Sequence, residues 1–299
     1  MANYSFKKEV EVFILSGGNR HKIDVGEVNF SQTFSEASYP VKTLHDQNRL
    51  FEGSVINKAN PANFSFNFFA IAENDFSIVE TLMLTVGTFD LFVKTAADIF
   101  KVTNCVITNG TFVIEKSRPL SIEIQGEGSR VLRGQTLQGS LQSRNTTKTY
   151  SIPQSLITTI NGTSRATVVS HTLELQNDIQ WTPYTTVNAA LDVTTAGTTM
   201  YPSSFSLSKK ILSGTIVEYL SDINTGDTQT WGKQAPIEIK AGNGLSSPNF
   251  RGFHFGPAQC SFTNRINSGN IFTQSYDWRM TQIPNNLGSF LRYVTDNDT

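Results

Sequence analysis

Pro61-Ala-Asn-Phe-Ser-Phe-Asn-Phe-Phe69 decides the fold class. Phe64, Phe66 and Phe68 alternate with Ser65 and Asn67, so an extended chain sets three rings on one face and small polar groups on the other. A helix of the same sequence would scatter them around its circumference. The alternation recurs on either side of this stretch. Val28 and Phe30 alternate with Asn29 and Ser31 upstream; Leu91 and Val93, Phe112 and Ile114, then Ile122 and Ile124 with Glu123 and Gln125 follow downstream. Each reads as a strand with one packed face and one wet face. Asn109-Gly110 and Asn161-Gly162 read as hairpin turns. One segment has helical spacing. Ser77-Ile-Val-Glu80 makes a capping box, Leu82, Met83 and Val86 continue the apolar stripe from Ile78 and Val79, and Gly87 stops it, which predicts a helix from about Asn74 to Thr85. The expected class is mainly β with one or two short helices.

Composition narrows the function. The 299 residues are 38% hydrophobic and 16% charged, enough apolar mass for a real core. Twenty-four Lys and Arg nearly cancel 25 Asp and Glu, leaving a net charge of -1. A protein that grips nucleic acid through its phosphates would be basic. Val12 to Leu15 is too short an apolar block for a signal peptide, and Phe76 to Val93 is broken by Glu80 and Asp90, so no membrane partner is expected.

The motifs that carry chemistry are missing. His21, His45, His171 and His254 show no ligand spacing, and the two cysteines, Cys105 and Cys260, form no CxxC and read as buried reduced thiols. There is no nucleophile elbow, P-loop or dinucleotide fingerprint; Gly126-Glu-Gly128 and Asp222-Ile-Asn-Thr-Gly-Asp227 read as polar turns. Glu123 and Glu127, four apart on one strand face, stand about 13 Å from each other, beyond the reach of a glycosidase pair. The expectation is a non-enzyme with no catalytic residue, cofactor or metal. A competing reading is a carbohydrate-binding β-sandwich of a fibre or baseplate, with Trp181, Trp231, Trp278 and Tyr184 as platforms, but Trp181 and Trp278 fall on the apolar parity.

The chain also matches itself. A shift of about 150 residues lays Val28-Asn-Phe-Ser31 on Ile179-Gln-Trp-Thr182, Phe66 and Phe69 on Ile216 and Tyr219, Phe112 on Phe262, and Ile122 on Phe272. Glu27 then falls on Asp178 and Glu127 on Asp277. This predicts two domains, 1–140 and 141–299, divided within the polar run from Gly134 to Tyr150, where Leu137 and Leu141 leave room for an outer strand. Each half has a long irregular arm, Ser35 to Ala62 with Tyr39-Pro40 and Thr185 to Lys210 with Tyr201-Pro202. Where the first half has its helix, the second offers the glycine-bearing Asn224 to Pro236.

Two strands joined by an arm, a helix, then two strands joined by a turn: this order resembles the tail tube proteins of long-tailed, siphovirus-like phages, in the tandem type with two fused tube domains. The carriers are Val25-Gly-Glu-Val-Asn-Phe-Ser31, Pro61 to Phe69, Cys105-Val-Ile-Thr-Asn-Gly-Thr-Phe112 and Ile122-Glu-Ile-Gln-Gly-Glu-Gly128, then Leu173 to Pro183 and Ile211 to Leu220. The resemblance covers most of the chain and rests on strand patterns rather than one motif. It implies two β-sandwich or barrel-like domains whose inner sheets join a closed multi-subunit β-barrel. Three chains would form a pseudo-hexameric ring, stacked into a virion tail tube built in the host cytoplasm. Its implied partners are the tape measure protein inside, the tail terminator and tail-tip or baseplate proteins, and DNA in transit without specific binding. By strand parity the bore would be lined by Glu27, Asn29, Ser31, Ser65, Asn67, Glu123, Gln125, Glu127, Asp178, Gln180, Thr182, Thr273, Ser275 and Asp277. Tyr39, Pro40, Tyr201 and Pro202 would serve ring stacking.

Overall fold

In the first part of the chain, alternating sequence becomes β1 (Glu11–Ser16), β2 (Asn19–Ile23), β3 (Val25–Ser31), β4 (Phe34–Tyr39), β5 (Gly53–Ala59) and β6 (Ala62–Phe69). The helix α1 (Phe76–Thr85) leads to β7 (Phe89–Lys94), β8 (Ile99–Glu115), β9 (Ser121–Gly128), β10 (Arg130–Leu132) and β11 (Ser140–Leu141). The remainder holds β12 (Ser155–Ile160), β13 (Thr163–Ser164), β14 (Val168–Trp181), β15 (Phe205–Tyr219), β16 (Gly232–Gly242), β17 (Gly252–Asn267), β18 (Thr273–Met280) and β19 (Leu291–Val294). The computed structural model describes residues 9–39, 53–69, 76–115, 118–143, 155–182, 200–221, 232–242, 252–282 and 291–294.

β8 organises the first part because it changes partners along its length. Its start pairs with β7 and β10, and from Val106 onward it pairs with β9 and β14. Thr103 and Asn104 stand opposite the single Asp90, Asn104 takes a φ of 51°, and its N–H donates to Asp90 Oδ1 at 2.9 Å. A polar residue that tolerates the left-handed region thus turns one strand from an outer layer into an inner one. β17 repeats the device. Gly256 and Pro257 stand opposite Glu238, and Gly256 has a φ of 88° at a spot where a Cβ would come within 2.2 Å of the Ile237 carbonyl oxygen.

The pairing order β2-β1-β7-β8-β9-β6-β3 recurs as β13-β12-β16-β17-β18-β15-β14, with β10 added to β8 and β19 to β17. These pairs are all antiparallel. β11 adds parallel to β2, which makes the sheet mixed. β8 and β14 join the two sets into one sheet, which does not close on itself among the described residues. Shared bulges fix how the sets correspond. Gly26 is the extra residue between Val25 and Glu27, Val169 the extra one between Val168 and Ser170. These bulges put Val28 level with His171 and Phe66 level with Ile216; the ladders then put Ile124 level with Tyr276. The sequence overlay of Val28 on Ile179 and of Ile122 on Phe272 is therefore displaced, and the matched acids, Glu27 with Asp178 and Glu127 with Asp277, separate. A repeat of strand order does not require a constant residue offset, because bulges and turns absorb single residues.

The sheet is staggered. Following the rungs Val28, Phe66, Ile124, Gly110 and Leu175 crosses from β3 to β14, and Leu175 stands four residues beyond His171. Four strands thus advance the register by four residues.

Three local expectations change. The first arm is not wholly irregular: β4 and β5 form an antiparallel hairpin with a bulge after Ser35. Asn109-Gly110 is no turn but lies inside β8, since a Cβ on Gly110 would meet Met83 Sδ at 2.3 Å and the glycine admits the helix. The hairpin glycines of the first part are Gly17 and Gly18, at φ 55° and 81°. Asn161-Gly162 does turn, at φ 54° and 76°, between β12 and β13. β15 starts at Phe205 rather than Ile211, and of Asn224 to Pro236, expected to have diverged from the first half's helix, the part up to Trp231 lies outside the described residues and the rest belongs to β16. The Leu141 strand is present as β11.

One apolar cluster runs through both sets, from Val12, Phe66 and Ile124 to Leu173, Phe255 and Trp278. Phe112 and Phe253 meet edge to face at 4.8 Å, and Phe255 stacks on Trp278 at 4.7 Å. Each such buried ring contributes about 1.5–3 kcal/mol relative to leaving it in water.

Candidate functional site

The face opposite this core is a broad polar surface. Its register sets one row across eight strands: Glu27, Asn67, Glu123, Thr111, Glu174, Ser213, Arg279 and Ser261 stand side by side. A second row runs Asn29, Ser65, Gln125, Asn109 and Gln176, and a third Ser31, Asn63 and Glu127. Asn29, Ser31, Ser65, Gln125 and Glu127 rim a shallow depression of about 450 Å³.

The bore residues expected on β3, β6 and β9 thus come together on one surface. Glu27, Asn29, Ser31, Asn67, Glu123 and Gln125 are exposed, and Ser65 and Glu127 are half-buried. Glu127 is held from the side, its Oε2 accepting from Trp181 Nε1 at 2.7 Å. On the later strands the picture is mixed. Asp178 lies 3.7 Å from Lys209 Nζ, Gln180 is exposed, and Thr182, just past β14, donates to the Ser204 carbonyl at 3.0 Å. Asp277 accepts from Thr215 at 2.9 Å and pairs with Arg265, Thr273 is half-buried, and Ser275 is buried. The sequence reading missed Thr111, Glu174, Gln176, Arg265 and Arg279 on the same face. Glu174 and Gln176 were signalled by the alternation His171, Leu173, Leu175, Asn177. Carboxylates outnumber cations on β3 to β14, and exposed Phe69, Val113 and Tyr219 edge one end of the face.

Tyr201 and Pro202 are turned inward to the chain. Pro202 is buried with its carbonyl accepting from Ser129 Oγ, the Ser203 carbonyl accepts from Asn104 Nδ2 at 3.0 Å, and the Arg130 guanidinium lies 4.4 Å from the Tyr201 ring centre. A segment of the second part is thereby strapped across the first. Tyr39 pairs with Gly53 in the hairpin, and Pro40 lies outside the described residues.

The titratable groups elsewhere are built into the structure. Burial raises the thiol of Cys105 well above its ordinary value and that of Cys260 to about 12, so both stay protonated and poor nucleophiles. Burial pushes the Glu238 carboxyl up, but hydrogen bonds from His254 and Lys240 outweigh it and hold the group below the usual range. Among the described residues no three His, Cys, Asp or Glu side chains converge as metal ligands.

The family described as the bacteriophage baseplate tube protein family matches residues 2–289. The chain belongs to that family. No curated protein matches it. Membership makes this baseplate tube family chain a structural component of a phage tail or baseplate, which assembles with itself and with other tail or baseplate proteins in the virion. No helix among the described residues is long and apolar enough to cross a membrane.

Proposed function

We propose that copies of this chain form rings that stack into a hollow tail tube, and that the tube conducts DNA during ejection. One observation carries the reading: a strand order that occurs twice, fused edge to edge, with one polar row crossing all eight inner strands. The two sets are then tandem tube domains, meeting between β11 and β12 near the expected boundary at 140/141. Three chains per ring supply twenty-four strands. With strands about 4.8 Å apart and tilted about 36°, as in barrels whose stagger equals their strand number, such a barrel measures about 45 Å across its backbone. Side chains leave room for a duplex, and for a tape measure protein before it.

The polar rows line that bore. Carboxylates outnumber the two arginines, Arg265 and Arg279, among neutral amides and hydroxyls, so the rows repel phosphate mildly on balance. Their aromatic rings, Phe69 and Tyr219, are confined to one end, so DNA slides. Glu123 and Glu174 are the residues to test, since both are exposed, with Glu123 accepting from Gln125 on its own strand, while the half-buried Glu127, Asp178 and Asp277 hold side chains of other strands. Phages carrying Glu123→Lys with Glu174→Lys should assemble tails of normal length and eject DNA at least tenfold more slowly; ejection at the wild-type rate would show that this face is not the bore. The stacking surface lies with the arm that carries Tyr39 and Pro40, while Tyr201 and Pro202 strap the tandem domains together. The ring itself, in a siphovirus-like tail ending in terminator and tip or baseplate proteins, is tested by electron microscopy of concentrated protein. Hollow rings or tubes support the reading; a compact monomer at every concentration ends it. The carbohydrate-binding alternative loses two of its four platforms, since Trp278 is buried and Trp181 is half-buried against Phe205 and Glu127, while Tyr184 and Trp231 lie outside the described residues.

A further inference from the structure

The seam between β8 and β14 is a template for a seam between copies. It pairs Asn109–Glu115 with Ser170–Gln176 antiparallel, and at its centre Phe112 stands opposite Leu173 on the core face. The corresponding strands at the two ends of the chain are β17 and β3. Among the described residues β3 pairs with β6 alone, and β17 beyond Thr263 pairs with β18 alone, because β16 begins at Gly232 and covers β17 only that far. Among the described residues both therefore present an open ladder edge.

The stagger fixes how these edges would meet. In the second set the rungs His171, Ile216, Tyr276 and Asn264 run level, as Val28, Phe66, Ile124 and Gly110 do in the first. The next rung of the first set is Leu175, four residues after His171; its counterpart on β3 is Gln32, four residues after Val28. Phe30 is then opposite Ile266, where Leu173 is opposite Phe112 inside the chain.

We propose, resting on the tube reading, that β3 of one copy adds antiparallel to the Arg265–Asn267 edge of β17 in a second copy, with Phe30 opposite Ile266 and Ser31 opposite Arg265. The side-chain chemistry agrees with the template. Phe30 is half-buried against Phe100 at 5.3 Å between ring centres, on the core parity. Ile266 continues the core parity of Phe262 and Asn264 yet is 41% exposed, and Ile271 and Phe272 at the adjoining turn are 61% and 52% exposed. An exposed apolar spot at the end of an unpaired edge is a liability in a lone chain and an anchor in an assembly. The contact is head to tail, so it propagates until a ring closes. It is also shorter than the internal seam, because β16 occupies part of the edge. Rings should therefore open between chains rather than within one.

The test mixes two variants, one carrying Phe30→Cys and the other Ile266→Cys; both native thiols are buried and stay silent. Mild oxidation of the mixed assemblies should give a covalent dimer containing one of each, absent from either variant alone. Val28→Cys mixed with Ile266→Cys, two residues out of register, should give at least tenfold less. Ile266→Lys, at a position exposed in the single chain, should keep the monomer's melting temperature and reduce tube yield at least tenfold. Tubes without the cross-link, a stronger cross-link from the shifted pair, or normal tubes from Ile266→Lys would overturn the seam and leave the tube reading standing. Wild-type protein that forms neither rings nor tubes would overturn both.

Discussion

His171 is wholly buried on β14, with Nε2 bonded to Thr158 Oγ1, and burial lowers its pKa from 6.5 to about 3. The unfolded chain takes up a proton near pH 6.5 that the folded chain refuses until about pH 3. Stability from this residue is therefore complete above pH 6.5 and is lost as pH falls toward 3, at about 1.4 kcal/mol per pH unit at the steepest. Urea titrations at pH 7 and pH 5 should show a loss of stability in the wild type that is smaller by about 2 kcal/mol in His171→Gln; equal slopes would mean that the ring is solvated. The same burial makes a second prediction. Iodoacetamide at pH 8 should label neither Cys105 nor Cys260 in the folded chain and both in urea, as read by mass spectrometry. At this scale the sequence was legible where parity alone decides. Phe64, Phe66 and Phe68 lie inward and Asn67, Glu123 and Gln125 outward as alternation requires. It was silent on what parity does not carry: that Glu127 accepts from Trp181, or that Asp277 pairs with Arg265, depends on a register that a single bulge resets.

The helix α1 shows how an element borrows its ending from elsewhere. Its last turn leaves carbonyls without intrahelical partners. Asn177 Nδ2 on β14 donates to the carbonyls of Met83, at 3.1 Å, and Ile107, at 2.9 Å, and Lys210 Nζ on β15 donates to that of Leu84 at 2.5 Å. Burial lowers the pKa of Lys210, while the helix C-terminus favours its charge. Asn177→Leu keeps the branched shape and strands two buried carbonyls, so it should destabilise the chain by about 2–3 kcal/mol in urea denaturation, against less than about 1 kcal/mol for the exposed Gln176→Leu. The helix itself was legible from its apolar spacing; Ser77 of the expected capping box lies inside the helix, Asn74 and Asp75 lie outside the described residues, and Gly87 ends it by donating to the Leu82 carbonyl at 3.0 Å. Asn109-Gly110 misled because the dipeptide signals a turn only where both residues can take positive φ, and here Met83 needs the space above Gly110. The β4–β5 hairpin was hidden because its strands, Phe34–Tyr39 and Gly53–Ala59, alternate weakly and are far apart in sequence.

Across the whole molecule, the two strand sets share one core and one seam. Phe112 and Ile114 on β8 meet Leu173 and His171 on β14, Phe253 reaches Phe112, and the segment at Tyr201 and Pro202 crosses back over Arg130 and Ser129. Separating the sets would expose Phe112, Ile114, Leu173 and Leu175, all buried, at about 1.5–3 kcal/mol each. That sum rivals the 5–15 kcal/mol by which an entire domain is stable. It would also leave both seam edges open for aggregation. The repeat expected from the sequence implies two independent folding units, whereas the packing predicts one. Residues 1–143 and 155–299, cut between β11 and β12, should each be insoluble or melt without a cooperative transition when expressed alone. Expressed together they should co-purify in equal amounts and unfold in a single transition. A soluble 1–143 fragment with a sharp melt matching that of the full chain would show that the seam is a contact between finished domains rather than part of their shared core.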